Sequence, residues 1–311
     1  MPRLLRSKRR GTLRAALACA CALLAVAAVA TAAGPQRTFD TPEDAVKALI
    51  EVVKAGKLDD LIAILGPGSQ DLAASSDPVT ARQNREVFRI AFKEHWSLID
   101  EGKGKTLIIG NEDWPFPVPI VKDGAKWRFD TAAGKEEVLA RRIGRNELET
   151  IETCRAYVTA QKRYAQQGHD GKPAGVYAAV FRSDPGKQNG LYWPANSGEK
   201  RSPLGDLIGE AADGKGTPDG KPQPFHGYYF KILTAQGAAA PGGAFSYIVN
   251  GDLSKGFALV AWPAQYNATG VMTFIVGQDG IVREKDLGSG TDAAARAMAA
   301  YNPDKSWQES Q

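Results

Sequence analysis

The stretch from Thr41 to Gly56 has the spacing of polar and apolar residues that is typical of an amphipathic helix. Thr41, followed by Pro42 and two acidic residues, has the composition of a helix N-terminus, and Gly56 is typical of a helix end. Similar apolar patterns predict a second helix over Leu58–Leu65 and a third that begins at Asp77-Pro78. The predicted inner faces are Ala45, Leu49, Val52 and Val53 in the first helix, and Val87, Phe88, Ile90 and Ala91 in the third.

Short apolar and alternating segments follow these helices and predict an antiparallel sheet. The segment Lys122-Asp123-Gly124 is a turn that joins the last two strands as a hairpin. Helices followed by strands indicate an α+β domain, which we place at residues 38–132. The predicted strands are Trp96–Ile99, Thr106–Ile109, Val118–Val121 and Lys126–Phe129.

A second α+β domain, predicted over residues 135–303, begins with a long helical pattern. This pattern runs from Lys135 to Gln167, and Gly144 predicts an interruption within it. Beyond the helix, Gly209–Pro224 has almost no large apolar residue, which predicts a mobile loop. An antiparallel meander and a closing helix follow, with segments at Gly227–Thr234, Phe257–Trp262, Val271–Val276, Ile281–Lys285 and Asp292–Ala300.

Each half resembles a known fold. The opening TPEDAVKALIEVVKAGKLDDLIAIL and the ending VPIVKDGAKWRFD resemble the cystatin-like or NTF2-like α+β cone, in which helices pack on a curved antiparallel sheet. The second half, with RAYVTAQKRYA, HGYYFKIL and FALVAWPAQYNATGVMTFIVGQDGIVREKD, resembles a pilin or pseudopilin head, a long helix followed by an antiparallel meander. Pilins begin with an apolar filament-building helix, whereas a whole domain precedes the long helix here. The resemblances imply folds and no activity.

The first 33 residues have the three parts of a secretory signal peptide. A head with six basic and no acidic residues precedes the apolar run Ala15–Ala30, and Ala30-Thr31-Ala32 offers a small-residue cleavage site. The apolar run is too short to span a bilayer comfortably. We therefore expect cleavage near Ala32 or Ala33 and a periplasmic or extracellular mature chain without a membrane span. The pattern leaves open whether the Sec or the twin-arginine route is used.

Removing the signal changes the charge of the protein. Six of the 39 basic residues leave with it, so 33 remain against 35 acidic residues, a formal charge of −2. No basic stripe remains that would attract a phosphate backbone, so we expect no nucleic-acid partner. Cys19 and Cys21 also leave, and the remaining Cys154 lies within a helical pattern that predicts a buried structural thiol.

The search for catalytic motifs predicts neither a metal nor a cofactor. The three histidines, His95, His169 and His226, lack metal-ligand spacing, and no nucleophile elbow or phosphate-binding loop is present. His226 enters a strong strand, where it can serve as a base or, as we favour, hydrogen-bond the backbone. Glu147 and Glu149 lie among basic neighbours on a helix and are interpreted as a solvated face.

Aromatic residues beside proline or glycine are the candidate ligand-binding residues. Proline fixes the backbone beside Trp114, Trp193 and Trp262, so these rings are held in place. They can stack on a sugar or peptide, or, as we favour, seal the interface between the domains. Tyr229 alternates with core aromatics along its strand and is expected to face outward. With His226 these residues form the predicted ligand-binding set: Trp114, Trp193, His226, Tyr229 and Trp262.

Over its full length the mature chain resembles the bacterial exported family catalogued as domain of unknown function 2950. The resemblance is carried by DWPFPVPIVKDGAKWRFDTAAG, RRIGRNELETIETCRAYVTAQKRYA, GLYWP, HGYYFKILTAQG, APGGAF and GFALVAWPAQYNATGVMTFIV. It implies an exported bacterial protein, and it transfers no catalytic residue.

Three functions follow as hypotheses. The first is a non-catalytic module for binding or assembly in the cell envelope, with an envelope protein or a polysaccharide as partner. The second is an envelope hydrolase that acts on cell-wall or carbohydrate material and uses carboxylates with His226. The third is a carrier of a small ligand in the concave face of the N-terminal cone. The sequence leaves the oligomeric state open.

Overall fold

The computed structural model describes residues 35–73, 78–194, 202–204 and 223–310. The predicted signal peptide lies outside these residues. So does the predicted mobile loop Gly209–Pro224, except for its last two positions.

In the part of the chain that the structure describes, four helices precede the first sheet. Thr41 caps α1, because its hydroxyl oxygen accepts a hydrogen bond from the Asp44 backbone N–H at 3.1 Å, and Gly56 ends the helix in a left-handed conformation. Both ends of the first predicted helix are therefore confirmed. The helices are α1 (Pro42–Ala55), α2 (Leu58–Leu65), α3 (Gln70–Ala73) and α4 (Pro78–Glu94).

The predicted inner face of α4 is wrong in two of its four positions. Val87 and Ile90 are 66% and 48% exposed, whereas Phe88, Ala91 and Phe92 pack against buried residues of the first half. Positions 88, 91 and 92 share one face of a helix, while 87 and 90 lie on another. Hydrophobicity alone did not identify which of the two apolar faces is covered.

The first sheet is antiparallel, with the strand order β1-β2-β4-β5 and β3 beside β2. A tight turn around Gly124, at φ +62°, joins β4 to β5 as predicted. Helices α1 and α4 pack against this sheet and bury what we call the N-terminal core, which includes Leu49, Ile64, Leu107, Ile120 and Phe129. The strands are β1 (Trp96–Glu101), β2 (Gly104–Ile109), β3 (Trp114–Pro115), β4 (Ile120–Asp123) and β5 (Lys126–Phe129).

A single helix, α5 (Thr131–Ala165), connects the two halves. Its 35 residues correspond to about 52 Å. Near its start, Gly134 lies against Val118 of the N-terminal core, and its second half buries Cys154, Tyr157 and Tyr164 among residues of the second half. The predicted interruption at Gly144 is wrong, because one glycine costs a helix only about 1 kcal/mol and the packing of both ends exceeds that cost.

The second half is built on an antiparallel sheet with the strand order β15-β13-β12-β11-β6. Its main strands are β6 (Tyr228–Leu233), β11 (Ala258–Pro263), β12 (Met272–Val276), β13 (Val282–Asp286) and β15 (Gln308–Glu309). The remaining short strands are β7 (Ala235–Gln236), β8 (Phe245–Ser246), β9 (Ile248–Val249), β10 (Asp252–Leu253) and β14 (Ala300–Tyr301).

Among the described residues, two helices pack against this sheet. The second half of α5 contacts β11 and β12, and the short helix α6 (Thr291–Ala297) contacts β11. Side chains from both helices join those of the sheet in what we call the C-terminal core, whose fully buried members include Tyr157, Tyr228, Phe257 and Phe274.

The α+β class predicted from the sequence is confirmed. The resemblances to cystatin-like and pilin-like folds remain predictions, as do the domain limits 38–132 and 135–303. The candidate sites lie on the surfaces of the two cores and of the helix that connects them.

Candidate functional site

His226 lies in a tight hairpin turn that packs on α5. Phe225 and Tyr228 exchange two backbone hydrogen bonds of 2.9 and 3.0 Å, so His226 and Gly227 form a two-residue loop. Both have positive φ, +48° and +75°, which is the geometry of a type I′ turn. A Cβ atom at Gly227 would come within 2.8 Å of the Asn146 side chain, so only glycine permits this close contact with the helix.

The turn brings His226 to a carboxylate of α5. Its Nδ1 atom lies 2.6 Å from Oε2 of Glu149, and both side chains are about two-fifths exposed. The Phe225 ring meets the imidazole edge to face at 4.0 Å between centroids. With Nδ1 donating to the carboxylate, Nε2 is the ring nitrogen that offers a lone pair. The predicted backbone hydrogen bond of His226 is therefore wrong, because the helix supplies a closer and charged acceptor.

A groove of about 420 Å³ lies beside this pair. We call it the His226 groove. Leu148 is 63% exposed at its edge, and Glu152 forms an ion pair of 2.5 Å with Arg155. Two carboxylates, one imidazole and a patch of apolar surface thus line the same groove. The groove is lined by Leu148, Glu149, Glu152, Thr153, Ala156, Phe225 and His226.

The neighbouring residues of α5 hold this region in place. Oε1 of Glu147 accepts hydrogen bonds from the backbone N–H groups of Val271 and Met272, at 2.8 and 3.0 Å. The Asn146 amide donates to the carbonyl of Thr269 at 2.8 Å. Glu147 and Glu149 are therefore not simply the solvated face that the sequence suggested, because Glu147 binds the backbone at the start of β12 and Glu149 binds His226 in the turn before β6.

Tyr229 and Trp262 lie together on the opposite face of the same sheet. They are cross-strand neighbours, with ring centroids 5.7 Å apart, and the Arg296 guanidinium lies over both rings. The Trp262 indole donates to Asp292 at 2.9 Å, and Arg296 donates to both oxygens of that carboxylate. These hydrogen bonds, first from Arg296 and then from Trp262, lower the pKa of Asp292. The arrangement fastens α6 to the sheet, and Tyr229 alternates with the buried Tyr228 and Phe230 on a face where Arg296 covers its ring and leaves it half-buried.

The other two tryptophans of the predicted ligand-binding set, Trp114 and Trp193, lie elsewhere. Trp193 is buried in the C-terminal core, 5.8 Å from the ring of His169. Trp114 is 46% exposed in β3, and Arg141 of α5 lies over its ring at 5.8 Å. The structure thus brings together only Tyr229 and Trp262 from the predicted set. Trp114, Trp193 and His226 each have separate surroundings.

A second groove, of about 290 Å³, lies between α1 and α4. Its floor is apolar and its walls carry four basic residues and one acidic residue. We call it the α1–α4 groove. The floor consists of Ile50, Val53, Phe88 and Phe92, and the walls consist of Lys47, Glu51, Lys54, Arg89 and Lys93.

This groove was not predicted from the sequence, although the chain carries one signal for it. Ile50 lies outside the predicted apolar stripe of α1, so the helix has a wider apolar face than its own core needs. The contribution of α4 could not be found in the same way, because the orientation of that helix is set by tertiary packing.

Residues 36–310 match the family model described as "Protein of unknown function (DUF2950)". The chain belongs to this family. Comparison with curated proteins and with solved structures finds no match. The family description assigns no function, so only the geometry of the DUF2950 chain indicates what its residues do.

Cys154 and the side chains that could bind a metal also bear on the chemistry of the DUF2950 chain. Cys154 is fully buried, and burial raises the pKa of its thiol to about 12, so it is a structural residue as predicted. Among the residues that the structure describes, no group of three or more His, Cys, Asp or Glu side chains is placed to hold a metal ion. Within the same residues, every helix is too short or too polar to cross a bilayer.

Proposed function

We propose that the chain is an exported protein of the bacterial cell envelope that acts as a non-catalytic binding or assembly module. The α1–α4 groove is the observation that carries this proposal. Its floor keeps parts of Ile50, Val53, Phe88 and Phe92 accessible between two helices. Apolar surface of this kind, bordered by polar residues, is typical of interaction sites.

The N-terminal sequence supports the location. A basic head, a short apolar run and a small-residue cleavage motif together are typical of a signal peptide, and the expected mature chain carries a formal charge of −2. The partner is then a component of the envelope, either a protein or a polysaccharide.

In-cell photo-crosslinking tests the proposal. The full-length protein is produced in its host with a photoreactive phenylalanine in place of Val53, which lies in the groove floor. The matched control carries the same residue in place of Ile281, which is 39% exposed in the C-terminal half. We expect a mature N-terminus near residues 33–34 and a discrete adduct for Val53 only. Uncleaved precursor in the cytosol, or equal adducts at both positions, would contradict the proposal.

A hydrolase is the second candidate, and one observation favours it. Glu149, Glu152 and His226 line one groove, so two carboxylates and an oriented imidazole are available together. A histidine whose Nδ1 is held by a carboxylate has Nε2 free to accept a proton from water or a hydroxyl group.

Variants of the His226 groove test this candidate. Purified protein is incubated with cell-wall and polysaccharide substrates, and released sugars or peptides are measured. His226→Asn retains a residue that tolerates the left-handed turn, and it is expected to reduce hydrolysis by about 100-fold or more if His226 is the base. Glu136→Gln on the same helix is the control. Absence of turnover by the wild-type protein would reject the hydrolase.

We do not propose the small-ligand carrier. The space between the helices and the first sheet is occupied by large, fully buried side chains, among them Leu49, Leu107, Ile120 and Phe129. The groove that exists in this half lies between α1 and α4.

A further inference from the structure

The floor of the α1–α4 groove is about one helical turn long, and the α1 wall beside it spans about two. Ile50 and Val53 are three residues apart on α1, and Phe88 and Phe92 are four residues apart on α4. Residues at this spacing lie one above the other on a helix, so each of the two helices contributes two successive apolar side chains to the floor. Lys47 and Lys54 mark the two ends of the α1 wall, seven residues or about 10 Å apart.

The walls are cationic on both sides. Lys47 and Lys54 stand on α1, and Arg89 and Lys93 stand on α4, against a single acidic wall residue, Glu51. These four cations and one anion give the lining a formal charge of +3, which Asp44 and Glu86, the partners of Lys47 and Arg89, reduce to +1. The mature chain as a whole is slightly acidic, so the groove is a local positive region on a protein of opposite net charge.

The two lysine ion pairs on α1 are exchangeable, whereas Arg89 on α4 is held by Glu86 through two hydrogen bonds. Lys54 lies 2.8 Å from Glu51 and Lys47 lies 3.5 Å from Asp44, with every side chain of the two pairs at least 46% exposed. Exposed pairs of this kind contribute at most about 1 kcal/mol. An incoming carboxylate can therefore replace either partner at small cost.

The distribution of charge distinguishes between possible ligands. A lipid or fatty acid has one anionic head, which requires cations clustered at one end of an apolar cleft. Here both walls carry cations, and on the α1 wall there is one at each end. This arrangement complements a helix that has an apolar stripe bordered by acidic residues on both sides, as in helix-in-groove recognition.

We propose that the α1–α4 groove binds an acidic amphipathic helix of a partner protein. The inference rests on the proposed function and specifies its partner. Two apolar side chains of the helix, three or four residues apart, would pack against Ile50, Val53, Phe88 and Phe92. Its flanking carboxylates would pair with the lysines of the walls, Lys47 and Lys54 on α1 and Lys93 on α4.

Binding of synthetic peptides to the full mature chain tests the chemistry. The probe is a stapled helix with leucine at positions i, i+3, i+4 and i+7 and glutamate on both sides of that stripe. Two matched peptides replace either all glutamates by lysine or all leucines by serine. Fluorescence anisotropy is expected to show at least ten-fold tighter binding of the acidic amphipathic peptide than of either control, with affinity decreasing as salt increases.

Variants of the protein locate the binding. The double substitution Lys47→Glu/Lys93→Glu is expected to weaken the acidic peptide at least ten-fold and to leave the thermal stability unchanged. The control Lys103→Glu/Lys122→Glu changes the net charge equally at exposed positions outside the groove and should have no more than a two-fold effect. Equal binding of the lysine peptide, or groove-dependent binding of anionic phospholipid vesicles but not of the peptide, would overturn the inference.

The crosslinking experiment separates the two proposals. If the photoreactive residue at position 53 captures a partner and mass spectrometry maps the adduct to a basic or non-helical segment, the inference fails and the binding module stands. If no adduct forms at position 53, the proposed function fails as well. An adduct within an acidic amphipathic helix supports both.

Discussion

Two glutamates of α5, separated by one position, have different partners and different environments. Glu149 pairs with His226 at the rim of a groove, while Glu147 binds two backbone N–H groups at the start of β12. A strand end that is only partly accessible to water needs such an acceptor, because unsatisfied N–H groups are costly. The side chain of Glu147 therefore connects α5 to the sheet and also supplies the hydrogen-bond acceptor for these two N–H groups.

Removal of this carboxylate should destabilise the protein measurably. Glu147→Ala leaves the N–H groups of Val271 and Met272 without their acceptor, and we expect a loss of about 2–3 kcal/mol in the free energy of unfolding. Glu147→Gln keeps an amide oxygen and should lose about 1 kcal/mol. Urea denaturation measures both values. An alanine variant as stable as the wild type would show that water replaces the carboxylate.

The thiol of Cys154 should be inert in the folded protein. It is fully buried, and its pKa of about 12 leaves a negligible thiolate fraction at pH 8. We expect iodoacetamide to leave the native mature protein unmodified and to modify it once in 6 M urea, as intact mass spectrometry would show. Rapid labelling of the native protein would mean that the C-terminal core opens readily.

At this scale the sequence predicted residue types better than residue pairs. The buried state of Cys154 followed from its helical pattern. The partner of His226 did not, because Glu149 is 77 positions away and only the packing of the hairpin on α5 brings the two together. The tryptophans show the same difference. The neighbouring prolines indicated that their backbones are fixed, but the sequence did not indicate which ring is buried and which is exposed.

Among the elements, α5 offers a matched pair of glycines. Gly134 lies against the N-terminal core, where an added Cβ would come within 2.7 Å of Val118, whereas nothing lies within 4 Å of a Cβ at Gly144. Gly144→Ala should therefore stabilise the protein by about 0.5–1 kcal/mol, because alanine is the better helix former. Gly134→Ala should destabilise it by about 1–3 kcal/mol through overpacking. Thermal unfolding of the two variants tests the opposite signs.

The attachment of α6 should depend on pH. The pKa of Asp292 is lowered by hydrogen bonds from Arg296 and Trp262, so its stabilising contribution is complete above the usual carboxyl pKa near 4 and is lost as pH falls through the lowered value. Asp292→Asn should lower the melting temperature at pH 7, with a loss of less than about 1 kcal/mol because the pair is exposed. The difference from the wild type should shrink towards pH 3. A constant difference would assign the effect to packing alone.

The elements themselves were largely predictable, with errors where packing overrides local pattern. The ends of α1 and the hairpin at Gly124 were predicted correctly from capping and turn residues, because those signals act within a few residues. The continuity of α5 through Gly144 and the exposure of Val87 and Ile90 depend on what covers each helix. The α1–α4 groove was missed for this reason, because it exists only where two helices are brought side by side.

For the whole molecule, α5 is the connection that decides how the two cores are arranged. Its first turns pack against Val118 and its second half packs on β11 and β12, so both cores share one helix. An uninterrupted helix transmits orientation from one end to the other. We therefore expect the α1–α4 groove and the His226 groove, one in each half, to keep a fixed separation as long as α5 remains continuous.

A break in α5 should release this arrangement without unfolding either core. Proline at position 144 removes a hydrogen bond and clashes with the preceding turn, at a local cost of about 3 kcal/mol. We expect Gly144→Pro to retain the near-ultraviolet circular dichroism of both cores. Labels at Lys103→Cys and Ile281→Cys, with the native thiol buried, should give a broadened distance distribution by spectroscopic ruler measurements. The Gly144→Ala variant with the same labels should give a single narrow distribution. An unchanged distribution in the proline variant would show that contacts other than α5 fix the two halves.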